Sequence, residues 1–114
     1  MINIKGVDPR MIANNLMPFE PFHPGELIKE ELEYREISQR TFALKFDVSY
    51  PMLNEILNGK RSVSTDFALL IEAALGLNAD LLVKIQTSYN LQMAKKDKKL
   101  CSRLAKIRKI AAVL

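Results

Sequence analysis

A chain of 114 residues, 48% hydrophobic and 26% charged, has room for one modest core with extensions and the composition of a globular protein. It contains no apolar run near the roughly 18 residues a membrane span needs, no charged-then-apolar leader, and one cysteine, Cys101, so membrane insertion and an internal disulfide framework are excluded and a cytoplasmic location is expected. The net charge of +4 is uneven: residues 95–109 carry eight basic groups against Asp97 alone, leaving residues 1–94 with nine basic against twelve acidic groups, a net of −3.

Residues 1–22 mix apolar and polar positions around Pro9, Pro18 and Pro21. They predict at most a short helix over about 8–16, capped by Asp8, with Ile12 and Leu16 able to dock on the body. Residues 18–22 read as an extended connector, because residues before proline avoid the helical region, and Phe19 and Phe22 are expected to pack on the core. His23-Pro24-Gly25-Glu26 then opens a helix to about Glu36 with Leu27, Ile28, Leu32 and Ile37 on its buried stripe. Glu26, Glu30, Glu31, Glu33 and Glu36 make it acidic, either as a solvated face partly paired with Lys29 and Arg35 or as a docking surface for a basic partner. His23, the only histidine, is expected to bond the backbone at the helix start; a metal site or a proton relay with Glu26 is the weaker reading.

Ser38 caps the next helix, in which Phe42, Ala43 and Phe46 recur at helical spacing. Asp47-Val48-Ser49 breaks the pattern, and Ser49 caps a second helix with Tyr50 and Pro51 in its first turn, where proline's missing donor costs nothing. Leu53, Ile56 and Leu57 form its buried face, which leaves Tyr50, Met52, Asn54 and Glu55 for the outer surface. Such a pair is either an ordinary helix hairpin or a helix-turn-helix, whose second helix enters the DNA major groove, and the following Asn58-Gly59-Lys60-Arg61 loop favours the latter. Tyr50, Met52 and Asn54 are then candidate base readers: asparagine bonds adenine bidentately, and tyrosine or methionine touches a thymine methyl. Glu55 would need a cytosine amino group or would only repel phosphate, whereas Lys60 and Arg61 are candidate phosphate contacts, which add affinity and salt dependence but no sequence choice.

Beyond the loop, Ser62-Val63-Ser64-Thr65 ends in a cap and Asp66 suits the first turn of a helix bearing Phe67, Ala68, Leu70, Ile71, Ala74 and Leu75, stopped by Gly76. Asn78 caps a fifth helix with Leu81, Leu82, Ile85, Tyr89 and Met93 at three-to-four spacing. A last helix over about 95–112 places Leu100, Leu104, Ile107, Ala111 and Leu114 on one stripe and Lys95, Lys99, Arg103 and Lys106 on another. That stripe calls for a protein contact, with nonspecific electrostatic help to DNA; without aromatic anchors the helix suits a membrane poorly. The expected fold is therefore all-α: a five-helix domain over 23–94, an N-terminal appendage over 1–22 and a basic amphipathic helix over 95–114. No nucleophile elbow, phosphate-binding glycine loop or cysteine-pair motif occurs, so no enzymatic activity, cofactor or metal is expected.

The stretch 38–58 resembles the Xre, or lambda-repressor-like, helix-turn-helix family, and the resemblance implies that Gln39 contacts a phosphate while Ser49, Tyr50 and Pro51 face base edges. One position departs: the turn residue is usually glycine, and here it is Asp47, a residue type that visits positive φ more readily than most. Over 22–94 the chain is similar to the HigA-type antitoxin branch of that family. The shared features are the His-Pro-Gly-Glu opening, Asn58-Gly59-Lys60-Arg61, a later Leu-Gly, and residues 85–91, Ile-Gln-Thr-Ser-Tyr-Asn-Leu, against a closing Leu-Gln-x-x-Tyr-Asp-Leu signature. Asn90 replaces the usual aspartate, and Leu82 stands where tryptophan is common. This resemblance implies a homodimeric antitoxin of a type II module, binding palindromic operator DNA to repress its own operon and covering a HigB- or RelE-like mRNA-cleaving toxin. A toxin binder without DNA binding, kept open by Asp47 and the acidic body, and a stand-alone Xre regulator are the alternatives.

Overall fold

A computed structural model describes residues 21–114, which form six helices: α1 (Pro24–Tyr34), α2 (Gln39–Lys45), α3 (Tyr50–Leu57), α4 (Thr65–Leu75), α5 (Ala79–Lys95) and α6 (Lys98–Ala111). The helix expected over 8–16 and Phe19 lie outside the described residues. Each helix begins with a side chain that accepts from an otherwise orphaned first-turn N–H: His23, Ser38, Ser49, Ser64, Asn78 and Asp97 in order. A cap of this kind is worth about 1 kcal/mol, so the element starts are set locally.

The ends of α1, α2 and α3 share one device. The N–H groups of Ile37, Val48 and Lys60 reach back to the carbonyls of Leu32, Ala43 and Glu55 at 2.9, 2.9 and 2.8 Å. In each case the residue before the donor sits in the left-handed region: Glu36 (φ 58°), Asp47 (φ 54°) and Gly59 (φ 75°). Asp47 thus adopts the conformation a glycine would take in the helix-turn-helix turn, at a steric cost that glycine avoids. Asp47→Gly is expected to raise stability by about 1 kcal/mol, and the midpoint of thermal unfolding by roughly 4–8 °C, measured by circular dichroism.

The core is built from Ile28 and Leu32 of α1, Phe42 and Ala43 of α2, Leu53, Ile56 and Leu57 of α3, Phe67, Ala68, Ile71 and Leu75 of α4, and Leu82 of α5, with Val63 closing it from the loop. Ala43 of α2, 6% exposed, and Leu53 of α3, wholly buried, are the small residue and the apolar plug that the two helices bring to this core. Arg35 ties α1 to the far side of the bundle: its Nη2 donates to the carbonyl of Leu75 at 2.7 Å, at the negative end of α4, while its Nε pairs with Glu31 at 2.6 Å.

Three expectations need correction. Phe46, expected on the buried stripe of α2, is 41% exposed and lies beside Phe42 with ring centroids 4.7 Å apart, because α2 ends at Lys45 and the turn carries Phe46 outward. In α5, Leu81 and Met93 are exposed whereas Gln86 and Gln92 are buried: Gln86 faces the loop after α3 and accepts from the N–H of Val63, and Gln92 donates to the Ser88 hydroxyl on its own helix at 3.2 Å. The last helix starts later than its charge pattern suggests. α5 continues to Lys95, and Asp97 interrupts it by accepting from the N–H groups of Lys99 and Leu100 at 2.9 and 3.2 Å, capping α6 afresh. None of the α6 residues is buried, and Leu104, Ile107 and Ile110 form an exposed apolar ridge between cations. Among the described residues, no helix is long and apolar enough to cross a membrane.

Candidate nucleic-acid interface

The geometry of α3 follows from its neighbours. Its inner side, Leu53, Ile56 and Leu57, is buried, and at about 100° per residue the opposite ridge is Pro51 and Glu55, with Tyr50 and Asn54 toward α2 and Met52 toward α4. The helix is gripped at its C-terminal end by the segment around His23. A Cβ on Gly25 would stand 2.0 Å from the carbonyl oxygen of Ile56, so the first turn of α1 lies directly against the end of α3. The imidazole of His23 packs beside Gly59 and meets the ring of Tyr89 edge-on, centroids 4.9 Å apart. From the other side Gln86 of α5, also buried, accepts from the N–H of Val63 at 2.8 Å and donates to Asn90 at 2.9 Å. The loop over 58–63 is therefore fixed by residues of both the His-Pro-Gly-Glu opening and the 85–91 segment.

His23 accepts from the Gly25 N–H through Nδ1 at 2.9 Å, which is the backbone role expected for it. Burial drives its pKa below the ordinary value of about 6.5, against smaller raising contributions from a backbone hydrogen bond with Arg61 and from the charge of Glu26. An unfolded chain, with its ordinary imidazole, takes up the proton first, so the contribution of His23 to stability is complete above pH 6.5 and is lost as the pH falls through its folded pKa. Stability measured by urea unfolding should decline from pH 7 to pH 5 in the wild type, and that slope should flatten in His23→Gln.

The residues expected at a DNA interface divide as follows. Ser49 is exposed at the start of α3, with its hydroxyl accepting from Met52 N–H at 3.2 Å, and Pro51 stands exposed beside it. Tyr50 carries the guanidinium of Arg40 over its ring at 4.8 Å, a cation–π contact that positions the phenol. Gln39 and Asn54 are joined, Asn54 Nδ2 donating to Gln39 Oε1 at 3.0 Å, and Asn58 Nδ2 donates to the Asn54 carbonyl at 2.9 Å. Met52 is half-buried, flooring a cleft of about 500 Å³ with Ile56, Phe67 and Leu70. Lys60 is exposed, and Arg61 forms an ion pair with Glu55, Nε to Oε1 at 2.8 Å. Sequence reasoning missed Arg40, whose only signal was its place one residue after Gln39, and it missed the Glu55–Arg61 pair, whose partners are six residues apart across a helix end.

Comparison with known proteins agrees with this architecture. The profile of the helix-turn-helix family matches residues 28–82. The chain is 36% identical over 87 residues to the virulence-associated protein I of Dichelobacter nodosus, covering 75% of this chain and 79% of that one. Among solved structures it is similar to an addiction module antidote protein of the HigA family from Coxiella burnetii, with a TM-score of 0.65 and 31% identity over 75% of this chain and 95% of that one. It is similar, too, to the Pseudomonas aeruginosa antitoxin HigA solved with the higBA promoter, with a TM-score of 0.61 and 32% identity over 66% of this chain and 83% of that one. The α2–α3 unit, the His23-to-Gly25 clamp on its recognition helix and these likenesses lead to one assignment: the chain belongs to the HigA-type antitoxins of the Xre helix-turn-helix family.

Proposed function

We propose that this protein is the antitoxin of a type II toxin–antitoxin module, repressing its own operon as a homodimer on operator DNA and neutralising a HigB- or RelE-like mRNA-cleaving toxin. The observation that carries the DNA half is the free outer face of α3, held rigidly from behind and similar in setting to an antitoxin solved with its promoter. Two-fold symmetry would set the recognition helices about 34 Å apart, one DNA turn. The toxin half rests on the acidic outer side of α1, where Glu26, Glu30 and Glu33 offer a basic RNA-binding protein a complementary surface, and the exposed ridge of α6 offers an apolar one. A toxin binder without DNA binding is less favoured, since Asp47 takes the turn conformation that the motif requires.

The test is binding to the duplex upstream of the protein's own gene against random duplex across a salt series. A preference that survives physiological salt supports the repressor role. Lys60→Ala should then weaken both duplexes alike and flatten the salt slope by about one per protomer, as loss of a phosphate contact does. Asn54→Ala should reduce the preference, and equal losses on both duplexes would remove Asn54 from the base-reading set. Loss of all preference, with residual binding that disappears on deleting residues 95–114, would assign DNA contact to α6 instead. For the toxin half, addition of the antitoxin should stop RNA cleavage by the product of the adjacent toxin gene.

A further inference from the structure

The outermost ridge of α3, the part of a recognition helix that reaches deepest into a groove, holds a carboxylate: Glu55 lies opposite the buried Leu53, Ile56 and Leu57. A negative charge there is repelled by phosphates on both sides of a groove, so its position needs a compensating reason. Stability is not one, because the Glu55–Arg61 side chains are 46% and 52% exposed and an ion pair so open to water contributes little. The geometry is nonetheless specific. The left-handed Gly59 turns the chain back, Lys60 N–H bonds the Glu55 carbonyl at 2.8 Å, and Arg61 returns alongside the helix to hold Glu55 Oε1 through its Nε at 2.8 Å. Two consequences follow from the chemistry of that arrangement. One carboxylate oxygen is oriented by Arg61 while Oε2 has no hydrogen-bond partner among the described residues, and Arg61 commits its Nε to a carboxylate rather than to a phosphate.

We propose that Glu55, positioned by Arg61, is the dominant specificity determinant of the interface, selecting a cytosine amino group in each half-site. This rests on the DNA-binding reading above. In the major groove only cytosine and adenine present an amino donor, and cytosine N4 is the donor that glutamate or aspartate accepts from. At any base pair offering only acceptors at that point, the carboxylate meets like partial charge and loses its water, so wrong sequences are rejected by repulsion as well as by a missing bond. Arg61 sets the direction of the free oxygen and screens its charge. Discrimination therefore resides in an acidic residue of a body whose net charge is already unfavourable to random DNA.

The experiment is a binding series with wild type, Glu55→Gln and Arg61→Ala on the protein's own upstream duplex, on random duplex, and on upstream duplexes in which each C·G pair of a half-site is changed in turn to T·A. Wild type should lose about 10-fold or more at one C·G position per half-site. Glu55→Gln should bind random duplex more tightly with a steeper salt slope, by about one per protomer as Arg61 is released to phosphate, should lose at least 10-fold of its preference, and should be indifferent to that C·G pair. Arg61→Ala should weaken binding to every duplex and lose part of the preference, because Glu55 is then neither screened nor aimed. Matching melting temperatures would confirm that all three fold alike. If Glu55→Gln keeps the wild-type preference and the same C·G dependence, the inference is overturned. If wild type itself shows no preference for its own upstream duplex, the DNA-binding reading fails and this inference falls with it.

Discussion

Gly25→Ala is expected to destabilise the domain by about 3 kcal/mol, the upper range for forcing a methyl group into filled space, and to lower its unfolding midpoint by roughly 15 °C. The reason is steric rather than conformational. A Cβ at this position would lie 2.0 Å from the Ile56 carbonyl oxygen and 2.9 Å from its carbon, and a backbone carbonyl at the end of a helix cannot rotate away as a side chain can. Relief requires α1 to withdraw from α3, which opens the contact on which the end of the recognition helix rests. Gly76→Ala supplies the control. Gly76 has φ 80° with nothing within 4 Å of the place a methyl would take, so alanine there meets only the left-handed backbone penalty, about 1 kcal/mol. Equal effects of the two substitutions in urea unfolding would refute the steric account. Gly25→Ala should also weaken binding to the upstream duplex beyond what unfolding explains, because the remaining folded molecules carry a displaced α3.

Much of this architecture is legible in the chain because it is written in local rules. Every core helix begins at a residue whose side chain can cap it, and the spacing of Leu53, Ile56 and Leu57 or of Phe67, Ile71 and Leu75 defines the buried faces without reference to tertiary structure. The failures share a different character. Phe46 follows the helical period, but a Schellman turn ends the helix one residue before it, and periodicity carries no information about where a turn redirects the chain. Gln86 breaks the apolar pattern of α5 because burial there answers a demand made by the loop after α3, not one made by α5 itself, whereas Gln92 is satisfied within α5 by the Ser88 hydroxyl. Asp97 ends one helix and starts another inside a run of lysines, and a single cap outweighs the continuous amphipathic pattern around it.

The candidate site was legible to a similar degree. The face of α3 was accessible from spacing alone, but its internal bonding was not. Asn54 is tied to Gln39 at a separation of 15 residues, Tyr50 is held by Arg40, and Glu55 is held by Arg61; each pairing depends on the angle between two elements that no sequence window contains. His23 and the segment 85–91 illustrate the same limit from the other direction. Their residues stand out in the sequence as motifs, and the backbone role expected for His23 holds, yet its contacts with Gly59 and Tyr89 could not be read from the sequence. Packing resolves them as one fastening: His23 beside Gly59 and Tyr89, Gln86 on Val63, Asn90 on Gln86.

Gln86 supplies the second large effect. Gln86→Leu keeps the volume and removes both hydrogen bonds, leaving the N–H of Val63, a residue only 4% exposed, with no acceptor in place of the 2.8 Å bond it now donates. An unmade bond at a buried donor costs about 1–3 kcal/mol, and that range is set by the Val63 N–H, because Asn90 is exposed and its amide can turn to water. The loss should be felt beyond the bond itself, since Val63 anchors the loop that carries Lys60 and Arg61 back along α3. Amide hydrogen exchange should therefore accelerate over residues 58–63 more than in α1 or α4, whereas a uniform acceleration would indicate simple global destabilisation. Asn90→Asp tests the same latch in the opposite direction: an ionised acceptor for Gln86 Nε2 makes a charge-assisted bond, roughly twice as strong as a neutral one, so stability should rise by about 1 kcal/mol at neutral pH. That gain should vanish in the Gln86→Leu background, because the carboxylate then has no amide to accept from, and a gain that persists there would place the benefit of aspartate elsewhere than in the hold on the recognition helix.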